Sequence, residues 1–391
     1  MNILYIPTQD PRLKNGGTGQ RTNLLWESLK RHGTVYTFVS DFNLGTEPII
    51  ENGDHPIYLS RPVKINHLFW RAVNRCFRKL SFFNVFSRKI LEIDNPTNVF
   101  KGVHFDFIVT RYVYPLCNFK YWEVAPLLVD IDDHPFQVYH TVYENRLYYG
   151  LRTIGRYLTN IQTKYILNKS VGGWIANEEQ LPLCGKKYGF LPNIPQLPRN
   201  DYNVGYNERK NLFTVGVMGY RPNKEGVTEF LAEVWPSFHQ KYPDVRYYIV
   251  GIGALDADAN LWNSYEGVRY MGYVDDLESL YEKTLATVVP VNSGGGTCIK
   301  TLEAMAYSRP CISTKFGARG MPADVIEEKK GVLLFDNAES FVHAYEELLD
   351  ESNRKMIENQ GRKVISCYYS IDSFNKAVDE VLIKSELLNI R

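Results

Sequence analysis

The chain reads as an α/β protein made of two doubly wound, Rossmann-like domains facing a cleft. Three observations predict this. Short apolar, β-branched runs alternate with helical stretches along most of the sequence, the pattern of βαβ units around parallel sheets. The 391 residues are too many for one typical core and suit two. A break with three prolines, Phe190-Leu191-Pro192-Asn193-Ile194-Pro195-Gln196-Leu197-Pro198, followed by a polar run to Asn211, divides the alternation into halves. The expected boundaries are 1–195 for the first domain, 196–210 for a linker and 211–370 for the second domain. Residues 371–391 are expected to form a closing helix that packs back on the first domain.

Composition narrows the class. Hydrophobic content of 44% and charged content of 23% are those of a globular chain. The net charge of +1 gives no general attraction to nucleic acid. Cys76, Cys117, Cys184, Cys298, Cys311 and Cys367 are scattered without a Cys-x-x-Cys, which suggests a reducing compartment and no cysteine-rich metal site. Met1 to Pro7 lacks the basic start and long apolar core of a signal peptide and reads as a strand. No run of 18 apolar residues is present. The expected location is the cytoplasm.

In the first half, Asn2–Pro7 is a buried strand, Thr8–Gly19 a loop holding Gly16 and Gly17, and Gln20–His32 a helix closed by Gly33. Val35–Ser40 follows as a strand. A glycine loop at the carboxyl end of the first strand is where an open parallel sheet holds its ligand. Residues 66–91 interleave Phe69, Trp70, Phe77, Phe82, Phe83 and Phe86 with Arg71, Arg75, Arg78, Lys79, Arg88 and Lys89. This stretch reads either as a domain helix with inward aromatics or as a helix lying on an anionic membrane surface at the inner face. Phe105–Thr110 and Leu127–Ile131 are further strands. Their carboxyl ends carry Arg111-Tyr112 and Asp130-Ile131-Asp132-Asp133-His134. Gly172–Ala176 is the next strand, and a helix starts near Asn177.

The second half starts with a strand at Phe213–Val217, a loop to Gly226 and a helix from Val227 to His239. Strands follow at Tyr247–Val250 and Val268–Met271, and Asp275 or Asp276 caps a helix through Tyr281. Leu285–Pro290 is a buried strand. It leads into Gly294-Gly295-Gly296 and a helix from Thr297 to Ser308. Strand, glycine turn and helix N-terminus together make an anion site, because the backbone approaches closely and the first N–H groups point outward. Ile299, Leu302 and Ala306 share the expected core face, with Lys300 and Glu303 together on its edge. A cation near the N-terminus fits a diphosphate. A carboxylate one turn on fits a polyol such as ribose, since it accepts two hydroxyl hydrogen bonds. The order suggests a nucleotide or nucleotide sugar; a glycine turn before an ordinary surface helix is the plainer alternative.

Several of these residues carry a resemblance. Phe213 to Gly219, Pro222-Asn223, Ile249 to Gly251, Gly272 to Asp275, Pro290, Gly294 to Thr297, Lys300, Leu302 to Ala306, Arg309-Pro310, Gly317 to Gly320 and Tyr369-Ser370 resemble the GT4 glycosyltransferases, which have the GT-B fold. The resemblance covers most of the second half; in the first half it rests on the opening glycine loop and the strand rhythm. It implies retaining transfer of a sugar from a nucleoside diphosphate donor, a UDP- or GDP-sugar, with no bound metal and no cofactor. The leaving phosphate would assist the incoming hydroxyl on the same face. The family's usual motif has two glutamates eight positions apart; here the second is Glu303 and the earlier position is Gly295.

What the resemblance implies for single residues follows. Glu303 would hold the ribose. Lys300 and the backbone of Gly294, Gly295, Gly296, Thr297, Cys298 and Ile299 would take the diphosphate, with Arg221 and Lys224 adding charge. Gly16, Gly17, Arg111, Tyr112 and Asp130 would lie on the acceptor side, and His134, Asp132 or Asp133 would orient the acceptor hydroxyl. Asp-x-Asp after a strand also suits a metal-diphosphate, and clustered carboxylates also cap helices. The acceptor would be a glycan or a lipid-linked saccharide of a cell-surface polymer. A sugar-nucleotide epimerase and a non-catalytic nucleotide-sugar-binding protein are the competing readings.

Overall fold

The computed structural model describes residues 1–13, 16–39, 49–59, 96–113, 120–134, 149–195, 197, 209–294 and 297–388. Residues 66–91, Gly295, Gly296 and most of the expected linker lie outside the described residues. The chain divides into two compact units, Met1–Pro192 with Ile371–Arg391, and Asn193–Ser370.

The first unit is built on an eight-stranded sheet in the order β3-β4-β2-β1-β5-β6-β7-β8. The strands are β1 Asn2–Ile6, β2 Thr34–Val39, β3 Ile49–Glu51, β4 Ile57–Leu59, β5 Phe107–Arg111, β6 Leu127–Asp130, β7 Gly172–Ile175 and β8 Tyr188–Phe190. Among the described strands only β3 runs antiparallel, on the edge beside β4. Ile3, Leu4, Tyr5 and Ile6 are fully buried at the centre, as a continuous apolar run covered on both faces requires. The helices include α1 Gly16–Lys30 and α2 Tyr149–Lys169. α1 starts four residues before its expected start, so Gly16 and Gly17 form its first turn and not a loop.

The second unit has six parallel strands in the order β11-β10-β9-β12-β13-β14. They are β9 Leu212–Val215, β10 Tyr247–Val250, β11 Val268–Gly272, β12 Ala286–Val289, β13 Cys311–Ser313 and β14 Val332–Leu334. Its helices include α3 Arg221–Glu233, α4 Trp235–Lys241, α5 Asp256–Asn263, α6 Leu277–Lys283, α7 Ile299–Ala306, α8 Ala338–Leu349 and α9 Glu351–Tyr368. The expected loop to Gly226 is mostly helix. Pro222 occupies the first turn of α3, where its missing N–H costs nothing and its fixed φ favours the start. Asp276 caps α6 by accepting from the Ser279 N–H. Phe230, Trp235, Phe238, Tyr247, Phe341 and Tyr345 form an aromatic core between the sheet and α3, α4 and α8.

After α9 the chain returns to the first unit as α10, Ile371–Lys384. Phe374, Val378, Val381 and Leu382 are buried on its inner face. Trp174 of β7 donates its indole N–H to the Ala377 carbonyl at 3.3 Å. Asp379 binds Arg31 at 2.6 Å and His32 at 2.9 Å just beyond α1. No described helix is long and apolar enough to cross a membrane.

Candidate functional site

In the second unit, β9 lies between β10 and β12, so the connections leaving β9 and β12 turn to opposite faces of the sheet. A crevice opens at such a point, beyond the carboxyl ends of the strands. The segment after β9 leads into α3 and that after β12 into α7, so both sit at this switch.

α7 is buried at every position except Ile299, Lys300 and Glu303, which are partly exposed. Ile299 is thus not a core residue as the spacing suggested; the helix packs through Thr301, Leu302, Ala304, Met305 and Ala306. The partly exposed residues share one side by helical spacing. The N-cap, Cys298, gives the first turn no side-chain hydrogen bond, which suits N–H groups meant for an external acceptor.

Lys300 reaches across the switch and donates from Nζ to Asn223 Oδ1 at 2.6 Å. Asn223 Nδ2 in turn donates to the Val217 carbonyl at 2.9 Å. Gly216 leaves room for this bridge: a Cβ there would lie 2.9 Å from Asn223 Nδ2 and 3.1 Å from Lys300 Nζ. Burial pulls the Lys300 ammonium below its ordinary pKa, Cys298 and Glu303 oppose that, and the charge of Arg319 adds to it. An anion beside Lys300 would reverse the trend. Arg221 pairs with Glu225 at 2.6 Å and Lys224 lies 3.4 Å from Asp258. These are partly exposed pairs of small worth, so both cations can be recruited, but Asn223 between them is the α3 residue that meets Lys300. Gly294 has φ 129°, a conformation glycine adopts without strain. Thr297 and Cys298 behind it are buried.

In the first unit the expected acceptor residues form a buried ion network at the ends of β5 and β6. Asp130 is completely buried between two arginines: Arg21 binds it through Nη2 at 2.6 Å and Nε at 3.0 Å, and Arg111 Nε lies 3.1 Å away. Arg21 also donates to the Leu191 carbonyl at 2.8 Å. Arg111 donates to Thr18 O and Thr22 Oγ1, both at 2.8 Å, and to Asp132 Oδ2 at 2.7 Å. The Tyr112 hydroxyl donates to the same Asp132 oxygen at 3.0 Å. Asp130 and Arg111, expected on the acceptor side, are fully buried within this network. Asp132, whose side chain keeps 17% exposure, and Tyr112 are partly exposed members of the network. Tyr112 and Asp132 both have φ 64°, an uncommon region for residues with a side chain. Burial and the Asp132 charge push the Tyr112 phenol up.

His134 is buried, and its backbone N–H donates to Gln180 Oε1 at 2.8 Å. Burial, with Lys164 of α2 adding to it, pulls its imidazole down to about 4, so the ring is neutral and weakly basic at pH 7. Asp133 is half-buried beside it. Gly16 is exposed at the start of α1 with φ 65°. Among the described residues no group of three His, Cys, Asp or Glu could hold a metal ion. Sequence reasoning missed Arg21, Asn223 and Arg319. Asn223 and Arg319 stand inside stretches that carry the resemblance; Arg21 is a charged residue within a helix, and only the fold reveals its partner Asp130.

Residues 209–351 match a family model described as "Glycosyl transferases group 1". The second unit carries the match. No curated protein matches the chain in sequence. Solved structures resemble it over nearly its full length. Sucrose-phosphate synthase from Thermosynechococcus elongatus is 16% identical, with 98% of each chain covered and a TM-score of 0.66. An E. coli structure titled trehalose-6-phosphate, bound with UDP-2-fluoro glucose, is 10% identical, with 99% of this chain and 100% of the other covered and a TM-score of 0.63. WaaG, a glycosyltransferase involved in lipopolysaccharide biosynthesis, is 14% identical, with 97% and 99% covered and a TM-score of 0.58. At such identities the likeness is one of fold. That fold is GT-B, and the group 1 match falls on the unit that holds Lys300 and Glu303.

Proposed function

We propose that the chain is a retaining, metal-independent GT4-type glycosyltransferase. It moves a sugar from a UDP- or GDP-sugar to a glycan or lipid-linked saccharide during synthesis of a surface polysaccharide. The observation that carries this reading is the partly exposed side of α7, where Lys300 and Glu303 lie one turn apart beside Ile299 on a helix buried at its other positions, at the switch point of the sheet. A structural relative bound to UDP-2-fluoro glucose supports the donor class.

In this reading Glu303 accepts the ribose hydroxyls. Lys300, held by Asn223, and the first-turn N–H groups of α7 offset charge as it builds on the departing diphosphate. One well-placed donor of this kind is worth about 3 kcal/mol of barrier. The leaving phosphate takes the proton of the incoming hydroxyl, so no protein nucleophile is needed. Asp132, fixed by Arg111 and Tyr112, orients the acceptor. The neutral, weakly basic His134 is a secondary acceptor-side group.

The test is turnover on a panel of nucleotide sugars together with calorimetry on Glu303→Ala. Wild type is expected to release nucleoside diphosphate from one donor, and the variant to lose donor binding. Near-wild-type affinity in the variant would remove Glu303 from the site. Binding without turnover on every donor would leave a nucleotide-sugar-binding protein in place of an enzyme.

A further inference from the structure

We propose that Asn223 is a positioning residue for the donor diphosphate: it holds the Lys300 ammonium in place without neutralising it. The inference rests on the donor site proposed above and gives a role there to an α3 residue that acts through Lys300.

Asn223 lies in the first turn of α3, where its backbone N–H donates to the Tyr220 carbonyl at 3.0 Å. Its side-chain amide bridges two groups of opposite character. Nδ2 donates to the Val217 carbonyl at 2.9 Å, and Oδ1 accepts from Lys300 Nζ at 2.6 Å. A carbonyl can only accept and an ammonium can only donate, so both ends of the amide are specified. The bridge ties the segment after β9 to α3 and α7. A Cβ on Gly216 would press on both side chains, at 2.9 Å from Asn223 Nδ2 and 3.1 Å from Lys300 Nζ, so glycine at the end of β9 gives the bridge its room.

The choice of an amide decides what happens to the charge. Arg221 and Lys224, the neighbouring cations on α3, each face a carboxylate, Glu225 at 2.6 Å and Asp258 at 3.4 Å. Lys300 instead meets a neutral oxygen, and among the described residues no carboxylate stands within ion-pair distance of its ammonium. A neutral acceptor fixes the ammonium and leaves its charge whole. An ammonium has three N–H groups, and the bridge uses one of them. Lysine is flexible, so holding it before the donor arrives removes part of the ordering cost of binding. Aspartate has nearly the same shape and would do the opposite. It would pair with Lys300 and cancel the charge that the diphosphate needs. It would also set an oxygen against the Val217 carbonyl, where Nδ2 now donates.

The experiment is calorimetry with UDP and GDP, and with uridine and guanosine. It compares wild type, Asn223→Asp, Asn223→Ala, Lys300→Gln and the double variant Asn223→Ala with Lys300→Gln. Asn223→Ala frees the ammonium and is expected to weaken diphosphate binding about threefold to tenfold. Asn223→Asp cancels its charge and is expected to weaken it about tenfold to a hundredfold. Nucleoside binding should stay within about twofold in both. In the Lys300→Gln background Asn223→Ala should change diphosphate affinity by less than about twofold, because the residue acts through Lys300. The same loss in both backgrounds overturns the inference, as does diphosphate binding by Asn223→Asp as tight as by Asn223→Ala. A merely structural role would weaken nucleoside and diphosphate alike, and that result overturns it too. Wild-type diphosphate affinity in Lys300→Gln overturns the inference while leaving the rest of the donor site standing. Failure of wild type to bind either diphosphate overturns the donor site itself and this inference with it. Melting curves accompany each variant. If Asn223→Asp does not fold, the cycle of Asn223→Ala and Lys300→Gln decides, and additive losses there overturn the inference.

Discussion

Asp130 shows how much a single carboxylate can hold. It lies at no exposure between Arg21 and Arg111, and its two partners tie α1, β5, β6 and the chain after β8 to one point. A buried ion pair gives little net stability when complete, but removing one partner leaves a charge stranded in a poor solvent. Asp130→Asn keeps the shape and removes the charge, so two buried guanidiniums would share Asp132 alone. We expect a loss of about 3–5 kcal/mol, read as an earlier midpoint in urea. Loss of less than about 1 kcal/mol would mean that water reaches the network. The same network explains the backbone at Tyr112 and Asp132. Each residue adopts φ 64° while its side chain is pinned by a hydrogen bond to the other. Strain of this kind persists where surrounding contacts over-determine it.

At the scale of elements, the switch point depends on how closely α3 approaches the strand end of β12. Gly226 allows that approach: a Cβ there would lie 2.3 Å from the Pro290 carbonyl oxygen, a backbone atom that cannot swing away. Gly226→Ala should therefore push α3 off the segment after β12 and cost about 1–3 kcal/mol. A fall in melting temperature together with weaker nucleotide binding is the expected pair of results. An unchanged melting temperature would show that the helix shifts freely. Gly226 also illustrates what could be read beforehand. Strands of continuous apolar residues were legible, and Tyr247–Val250 agrees to the residue. The starts of α1 and α3 were not, because glycine and proline there look like turn residues in sequence while each is tolerated in a first helical turn. α9 was missed because its polar sequence buries only a narrow stripe, Ile357, Glu358, Gly361, Val364 and Ile365. In the candidate site, Lys300 and Glu303 were legible from spacing along one helix. Asn223 and Arg21 were not, since each bonds a partner far away in the chain.

At the scale of the molecule, the charges of the two units are arranged in opposite ways. The second unit gathers Lys300 and Arg319 near a glycine turn, with Arg221 and Lys224 on the neighbouring helix. The first unit gathers Asp130 and Asp132, but each is already compensated by a guanidinium within hydrogen-bond distance. A divalent cation approaching those carboxylates would meet Arg21 and Arg111, and binding would require breaking pairs whose arginines are buried. A metal-diphosphate therefore has a poor site at the Asp-x-Asp sequence, whereas the donor site proposed in the second unit offers cations to a diphosphate without metal. Donor turnover should accordingly be unchanged by EDTA, and added Mg²⁺ or Mn²⁺ should alter it by less than about twofold. Strict dependence on a divalent ion, abolished by Asp132→Asn and untouched by Lys300→Gln, would move the diphosphate to the first unit and leave Lys300 with another anion to bind.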